Sequence, residues 1–289
     1  MKKILAIFAF ALVAFMAHAQ SCPDDNHPHA IDLGLPSGTL WACCNVGADK
    51  PEAQGGHYAW GETETKSVYT TVTYLYATGV DEDGDGWYDD YHSDTNDTGV
   101  YQNLGNYKGE SEEGSIYDIA DTQYDVAHVK WGGSWVMPSR EQQEELRGNS
   151  TCKLTEMNGI YGHLFTGANG GSIFLPAAGY RAGYYRCHAG ESGYYWSSTQ
   201  CPSLASGAYR FNIYFSGGMT LVVCGCYEGN TVRPVISGTN NINFSESASI
   251  APNQAIYNLY GIKVADNAAY MNTLPPGIYI VNGKKFVVK

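Results

Sequence analysis

Positive charge is scarce in this chain: 17 Lys and Arg stand against 29 Asp and Glu, for a formal net charge of −12. Non-specific affinity for nucleic acid comes from cations that neutralise phosphate, so this composition excludes a nucleic-acid role. Long hydrophobic runs are also missing. The one apolar run, 4–16, is shorter than the roughly 20 residues of a spanning helix, so no membrane span is expected in the mature chain. There is no Gly-x-Ser-x-Gly elbow, no His-Glu-x-x-His helix and no Gly-x-x-x-x-Gly-Lys loop, which removes the commonest hydrolase, metalloprotease and nucleotide-hydrolysing chemistries. Charged residues make up only 16%, whereas 44% are hydrophobic and 34 are Gly and 23 Tyr. Such a chain folds, and it does so through many turns and short strands.

The start of the chain reads as an export signal. Lys2 and Lys3 precede the apolar run, and Ala17-His-Ala19 supplies the small residues of a cleavage site, so 1–19 is a signal peptide and the protein is secreted or displayed at the cell surface. All eight cysteines lie beyond that site. An even number in an exported chain favours disulfides, with 105 possible pairings. If 39–46 is a strand, Cys43 and Cys44 face opposite sides; if 219–226 is a strand, Cys224 and Cys226 share one. Cys224-Gly-Cys226 lacks the second pair of ligands a zinc site needs. Residues 20–30 form a flexible polar leader, in which His27 and His29 stand beside Pro28 and read as solvated.

Alternation predicts a strand at 39–46, and the β-branched and aromatic composition of 68–76 predicts another strand or an extended segment. Asp125 caps a short helix that ends at Gly132-Gly133, and Ser139 with Gln142 forms a capping box that opens a helix over 140–147, stopped by Gly148. From Ser172 the chain turns to β, with strands at 172–175, 179–186, 193–199, 208–215, 220–226 and 231–236 and a Gly217-Gly218 hairpin. The sum is α+β: two short helices packed beside mostly antiparallel strands.

Short glycine-punctuated motifs recur in a fixed order: Ile31-Asp-Leu-Gly-Leu-Pro-Ser-Gly-Thr-Leu-Trp41, Tyr58-Ala-Trp-Gly-Glu62, Trp131-Gly-Gly-Ser-Trp-Val-Met-Pro-Ser-Arg-Glu141, Ser172-Ile-Phe-Leu-Pro-Ala-Ala-Gly-Tyr-Arg181, Tyr194-Tyr-Trp-Ser-Ser-Thr199 and Val232-Arg-Pro-Val235. Together they resemble the Fibrobacter succinogenes major paralogous domain. That resemblance covers 31–236 and implies a C-type-lectin-like fold in an exported bacterial module. It implies a fold more directly than an activity.

Residues 237–250, rich in Ser and Asn, read as a linker to a small β module at 251–289. There, 256–264 and 274–289 read as three strands with an Asn282-Gly283 turn. The Pro276-Gly-Ile-Tyr-Ile-Val281 core and the Lys-rich final strand resemble the carboxy-terminal sorting domain of type IX secretion, which implies that machinery as a partner.

One stretch carries explicit site chemistry, an acidic insertion near 80–98. Asp81, Asp83 and Asp85 alternate, Gly86 allows a sharp turn, the carbonyl of Trp87 adds a donor and Asp89 falls at the ninth position of a calcium loop. His92 stands where a bidentate Glu would complete an EF-hand, so the expectation is weak, extracellular-type Ca2+ binding. The alternative is a solvated acidic loop.

Possible acid–base pairs, His57 with Glu62 and Glu141 with Glu144 or Glu145, have ordinary structural explanations, so no catalytic residue is assigned. The sequence favours a non-enzymatic binding or adhesion module that contacts glycans or surface polymers. Trp87, Tyr88, Tyr91, Tyr184, Tyr185, Tyr194, Tyr195 and Trp196 are its candidate stacking surface, because aromatic rings cover sugar faces while their polar tips stay wet; the alternative for Tyr184, Tyr185, Tyr194, Tyr195 and Trp196, on short strands, is a place in the core. The Glu-Pro-Asn or Gln-Pro-Asp signature of calcium-dependent lectins is absent. A structural or fimbria-like surface component is the alternative, and an enzyme on the same scaffold the third choice.

Overall fold

Short strands cannot bury a face alone, and in this chain they gather into small sheets around shared cores. The computed structural model describes residues 26–81, 84, 86 and 99–237, and in the carboxy-terminal segment 255–258, 263–267, 274, 277–281 and 284–288. In chain order the first elements are β1 (Ala30–Asp32), β2 (Leu40–Ala42), β3 (Ala77–Thr78), β4 (Val100–Tyr101), β5 (Asn106–Ser111) and β6 (Gly114–Asp118). Helix α1 (Val126–Trp131), strand β7 (Trp135–Val136) and helix α2 (Arg140–Asn149) follow. The β-rich half holds β8 (Ser150–Met157), β9 (Ile160–Gly167), β10 (Ser172–Pro176), β11 (Tyr180–Ala182), β12 (Tyr185–Cys187), β13 (Ser192–Gln200), β14 (Gly207–Tyr214), β15 (Met219–Gly225) and β16 (Val235–Ile236).

Among the described residues these strands pair antiparallel throughout, so the architecture is mostly antiparallel β with two short helices, α+β in the loose sense. A five-stranded sheet runs β15-β14-β13-β6-β5, and a four-stranded one runs β1-β2-β16-β7. The second sheet joins three distant motifs, since Val235 lies opposite both Trp41 and Val136. Strand β13 is buried along its whole length, so its alternation separates two cores rather than core from water. Tyr195 enters the cluster of Trp41, Phe165 and Phe211, while Trp196 enters that of Trp60, Tyr58 and Met137. The two tryptophans exchange hydrogen bonds across the chain: Trp60 Nε1 donates to the Ser197 carbonyl at 2.9 Å, and Trp196 Nε1 to the Tyr58 carbonyl at 2.8 Å.

Both helices start where their caps dictate. Asp125 accepts from the N–H groups of Ala127 and His128, and Ser139 and Gln142 make the reciprocal capping box. Gly148 does not stop α2, which continues to Asn149 and passes into β8 at Ser150. The expected strand at 68–76 is instead a run of turns. Thr73 Oγ1 donates to the Val68 carbonyl and accepts from the Thr70 N–H, so a hydroxyl replaces the ladder partner that a strand would need. Likewise the first strand stops at Ala42, ahead of Cys43 and Cys44. The β8–β9 hairpin was not expected, although its turn is Asn158-Gly159, with both residues at positive φ (50° and 81°). Gly179, at φ +67°, sits where an added Cβ would meet the Cys187 carbonyl at 2.3 Å, so the Ala-Ala-Gly-Tyr motif needs glycine there.

The chain divides into two compact units, Met1–Ile236 and Ser237–Lys289. The second, taken by itself, is a four-stranded antiparallel sheet of β17 (Ile256–Asn258), β18 (Lys263–Ala265), β19 (Gly277–Val281) and β20 (Lys284–Val288), in the order β18-β17-β19-β20. The segment read as one strand at 256–264 is therefore two. The Asn282-Gly283 turn lies outside the described residues. Among the described residues no helix is long and apolar enough to cross a membrane.

Candidate functional site

Strand β14 places Phe211 and Ile213 in the core, so alternation sends Arg210 and Asn212 to the opposite face. There Arg210, 8% exposed, becomes the centre of a polar and aromatic cluster. Its Nε donates to Asn212 Oδ1 at 2.8 Å, and its Nη1 donates to Asn230 Oδ1 at 3.2 Å and pairs with the carboxylate of Glu228. The guanidinium lies over the rings of Tyr194 and Tyr180, at 4.7 and 5.0 Å from their centroids. Asn212 Nδ2 donates in turn to Tyr214 Oη at 3.1 Å. His188 stacks on Tyr180, and its Nδ1 lies 3.1 Å from a carboxylate oxygen of Glu191.

Burial sets the electrostatics of this cluster. It pushes the Tyr180 phenol up to about 12, helped by Cys187 and Glu228, and it raises the Glu228 carboxyl against the opposing pull of Arg210. Tyr214 moves the other way, because hydrogen bonds with Thr220 and Asn212 favour its ionised form. The cluster is thus a largely buried set of a planar cation, a carboxylate, amides and phenols that satisfy one another beneath the exposed Tyr184 and Tyr185.

The residues expected to bind ligand divide three ways. Tyr184, in the turn after β11, and Tyr185, the first residue of β12, stand 76% and 75% exposed at the tip of a hairpin whose base carries Tyr180 and Cys187. Tyr194, Tyr195 and Trp196 are buried, which corrects their assignment to a surface: they lie on the fully buried β13. Tyr195 donates its hydroxyl to the Pro176 carbonyl at 2.6 Å, and burial holds its phenol well above the usual range. Tyr194 still contributes, as a ring beneath Arg210. Trp87, Tyr88 and Tyr91 lie outside the described residues. Of the calcium set, Asp83, Asp85, Trp87 and Asp89 also lie outside them. Asp81 is described, and its two carboxylate oxygens accept the N–H groups of Gly84 and Gly86 at 2.9 and 3.1 Å.

The acid–base pairs each have other partners. Glu62 pairs with Lys66 at 2.8 Å and accepts the Leu75 N–H, while His57 Nε2 lies 3.2 Å from the Ala178 carbonyl. Burial, with Arg186 nearby, lowers the His57 imidazole to about 4, so it is neutral. Glu145 is not simply solvated: it accepts both the N–H and the hydroxyl of Ser37 at 2.7 and 2.6 Å, tying α2 to the first motif.

A second cluster has metal-ligand chemistry. His27, Cys43 and Cys44 bring a ring nitrogen and two sulfurs within 4.8 Å of one another. His27 Nδ1 is 3.2 Å and His29 Nδ1 3.7 Å from Cys43 Sγ, and the His29 N–H donates to that sulfur at 3.1 Å. The leader histidines are half-buried here rather than solvated. The two sulfurs converge because the chain bends after β2. The Cys43 N–H still bonds the His29 carbonyl, in register with the β1–β2 pairs, but the backbone bends at Cys43 and Cys44, so the opposite facing expected of a continued strand is lost. The hydrogen bond with Cys44 is the largest influence lowering the Cys43 thiol to about 4, against its burial and with the His29 N–H adding to the effect. No protein-family model, curated protein or solved structure matches this chain.

Proposed function

We propose that this protein is an exported, non-enzymatic binding or adhesion module on a C-type-lectin-like scaffold, and that it contacts glycans or surface polymers. The observation that carries the reading is the exposed pair Tyr184 and Tyr185, joined by one short hairpin to the Tyr180, Tyr194 and Arg210 cluster. Exposed aromatic rings present flat apolar faces with wet polar tips, and the buried cluster of Arg210, Asn212 and Asn230 beneath them gives their hairpin a fixed base. The ordered motifs support the family resemblance, since the sheet β1-β2-β16-β7 joins three of them. The compact, antiparallel carboxy-terminal unit supports its reading as a type IX sorting module. Calcium bound at Asp81, Asp83, Asp85, Trp87 and Asp89 belongs to the same proposal.

The test is a glycan and polysaccharide array probed with the full chain, with and without calcium. Binding that falls at least about tenfold in Tyr184→Ala/Tyr185→Ala, whose folding is unaffected, supports the reading, a loss in the range expected for contact-centre aromatics. An array with no binder, or binding indifferent to both tyrosines, refutes it.

A further inference from the structure

We propose that His27, His29, Cys43 and Cys44 form a tetrahedral zinc site that clips the leader to the bend after β2. Three of these residues, His27, Cys43 and Cys44, already converge with their ligand atoms within 4.8 Å. The fourth, His29, stands outside that trio with its Nδ1 3.7 Å from the Cys43 sulfur, and its ring turns inward to complete the four when metal binds. In a tetrahedral site with ordinary zinc–sulfur and zinc–nitrogen bonds, the edge between a sulfur and a nitrogen ligand is about 3.6 Å. The two edges here, 3.2 and 3.7 Å, bracket that length.

Ligand type and charge agree with the geometry. Two thiolates and two imidazoles are a borderline-soft set suited to zinc. Two thiolates also cancel the charge of one divalent ion. A net-neutral site is what a buried position tolerates, and both Cys43 and Cys44 have no exposed surface. That same burial argues against a nucleophilic Cys43–His27 pair, since no substrate reaches the sulfur. The supporting shell is built in: Arg233 donates to the carbonyls of Ala42 and Cys43 at 3.1 and 2.8 Å, and so fixes the bend that turns both sulfurs the same way. Histidines in a polar segment and adjacent cysteines near a strand end carry no recognised spacing signature. Only the fold brings the pairs together.

The site is tested on the untagged full-length protein, reduced, stripped of metal with a chelator and titrated with Co2+. The expected result is one ion per chain, with the intense visible bands of tetrahedral cobalt and a sulfur-to-cobalt charge-transfer band, both abolished by Zn2+. Cys44→Ser and His27→Gln should each weaken zinc binding at least about tenfold, because even supporting groups beyond the ligands are worth that much. Cys152→Ser, on β8, should leave it unchanged. His27 sits at a half-buried edge, so its variant folds whether or not the site exists. A pale octahedral cobalt spectrum that Cys44→Ser leaves unaltered overturns the proposal. So does mass analysis that finds Cys43 in a disulfide in protein made with zinc supplied throughout.

Discussion

Arg233 Nη1 donates to the carbonyl oxygen of Cys43 at 2.8 Å, across 190 residues of sequence. The guanidinium is fully buried. Its other donors reach Asn45 Oδ1 at 2.7 Å, the Ala42 carbonyl at 3.1 Å and the Phe174 carbonyl at 2.9 Å. The Val-Arg-Pro-Val motif therefore acts as a bolt between β10 and the bend after β2.

Replacing that bolt should be severe. Arg233→Ala leaves several buried carbonyls without donors and is expected to cost at least about 3 kcal/mol. Arg233→Lys should rescue little, because an ammonium lacks the planar fork that serves acceptors on different strands. Urea denaturation checks both: the midpoint should fall in each variant with little change in slope. Wild-type stability in Arg233→Lys would contradict the bolt.

The reciprocal tryptophans give a graded prediction. Trp196→Phe keeps a ring in the core and removes one of two hydrogen bonds to the Tyr58 carbonyl, which still accepts the Asn230 N–H, for a loss of about 0.5–1.5 kcal/mol. Trp196→Ala also empties the core and should lose about 3–5 kcal/mol. Equal losses in the two variants would show that filling the core contributes nothing beyond the hydrogen bond, and an unchanged Trp196→Phe would show that the hydrogen bond contributes nothing.

His57 predicts a pH dependence. Its folded-state pKa is depressed from 6.5 to about 4, so the folded protein binds fewer protons than the unfolded chain between those values. Stability is therefore full above about pH 6.5 and is lost as pH falls toward 4, by up to about 3 kcal/mol from this group alone. His57→Gln should flatten that part of the stability profile. A profile that keeps its slope in the variant would assign the effect elsewhere.

The ion pair beneath the proposed binding face should show the asymmetry of buried charges. Glu228→Gln removes the carboxylate from Arg210, whose side chain is 10% exposed, and should cost about 3 kcal/mol. Glu228→Gln/Arg210→Met should recover part of that loss, since no unpaired charge remains. Thermal unfolding of the single and double variants measures the coupling, and simple additivity would refute it.

What the sequence determined by itself was local. Asp125 and the Ser139–Gln142 pair announced both helices, because caps act over three or four residues. Short runs between glycine-rich turns announced β10 and β13 to β15 within a residue or two, though not the split of 179–186 into β11 and β12. Tertiary structure decided the rest. It turned Tyr195 and Trp196 inward, because β13 has a core on each face and alternation alone cannot tell a two-sided strand from a half-exposed one. It converted 68–76 from strand to turns, through threonine hydroxyls whose partners no propensity reveals. And it set His27 against Cys43: β1 and β2 had to pair, and Arg233 had to bend the chain after Ala42, before residues 16 apart could meet.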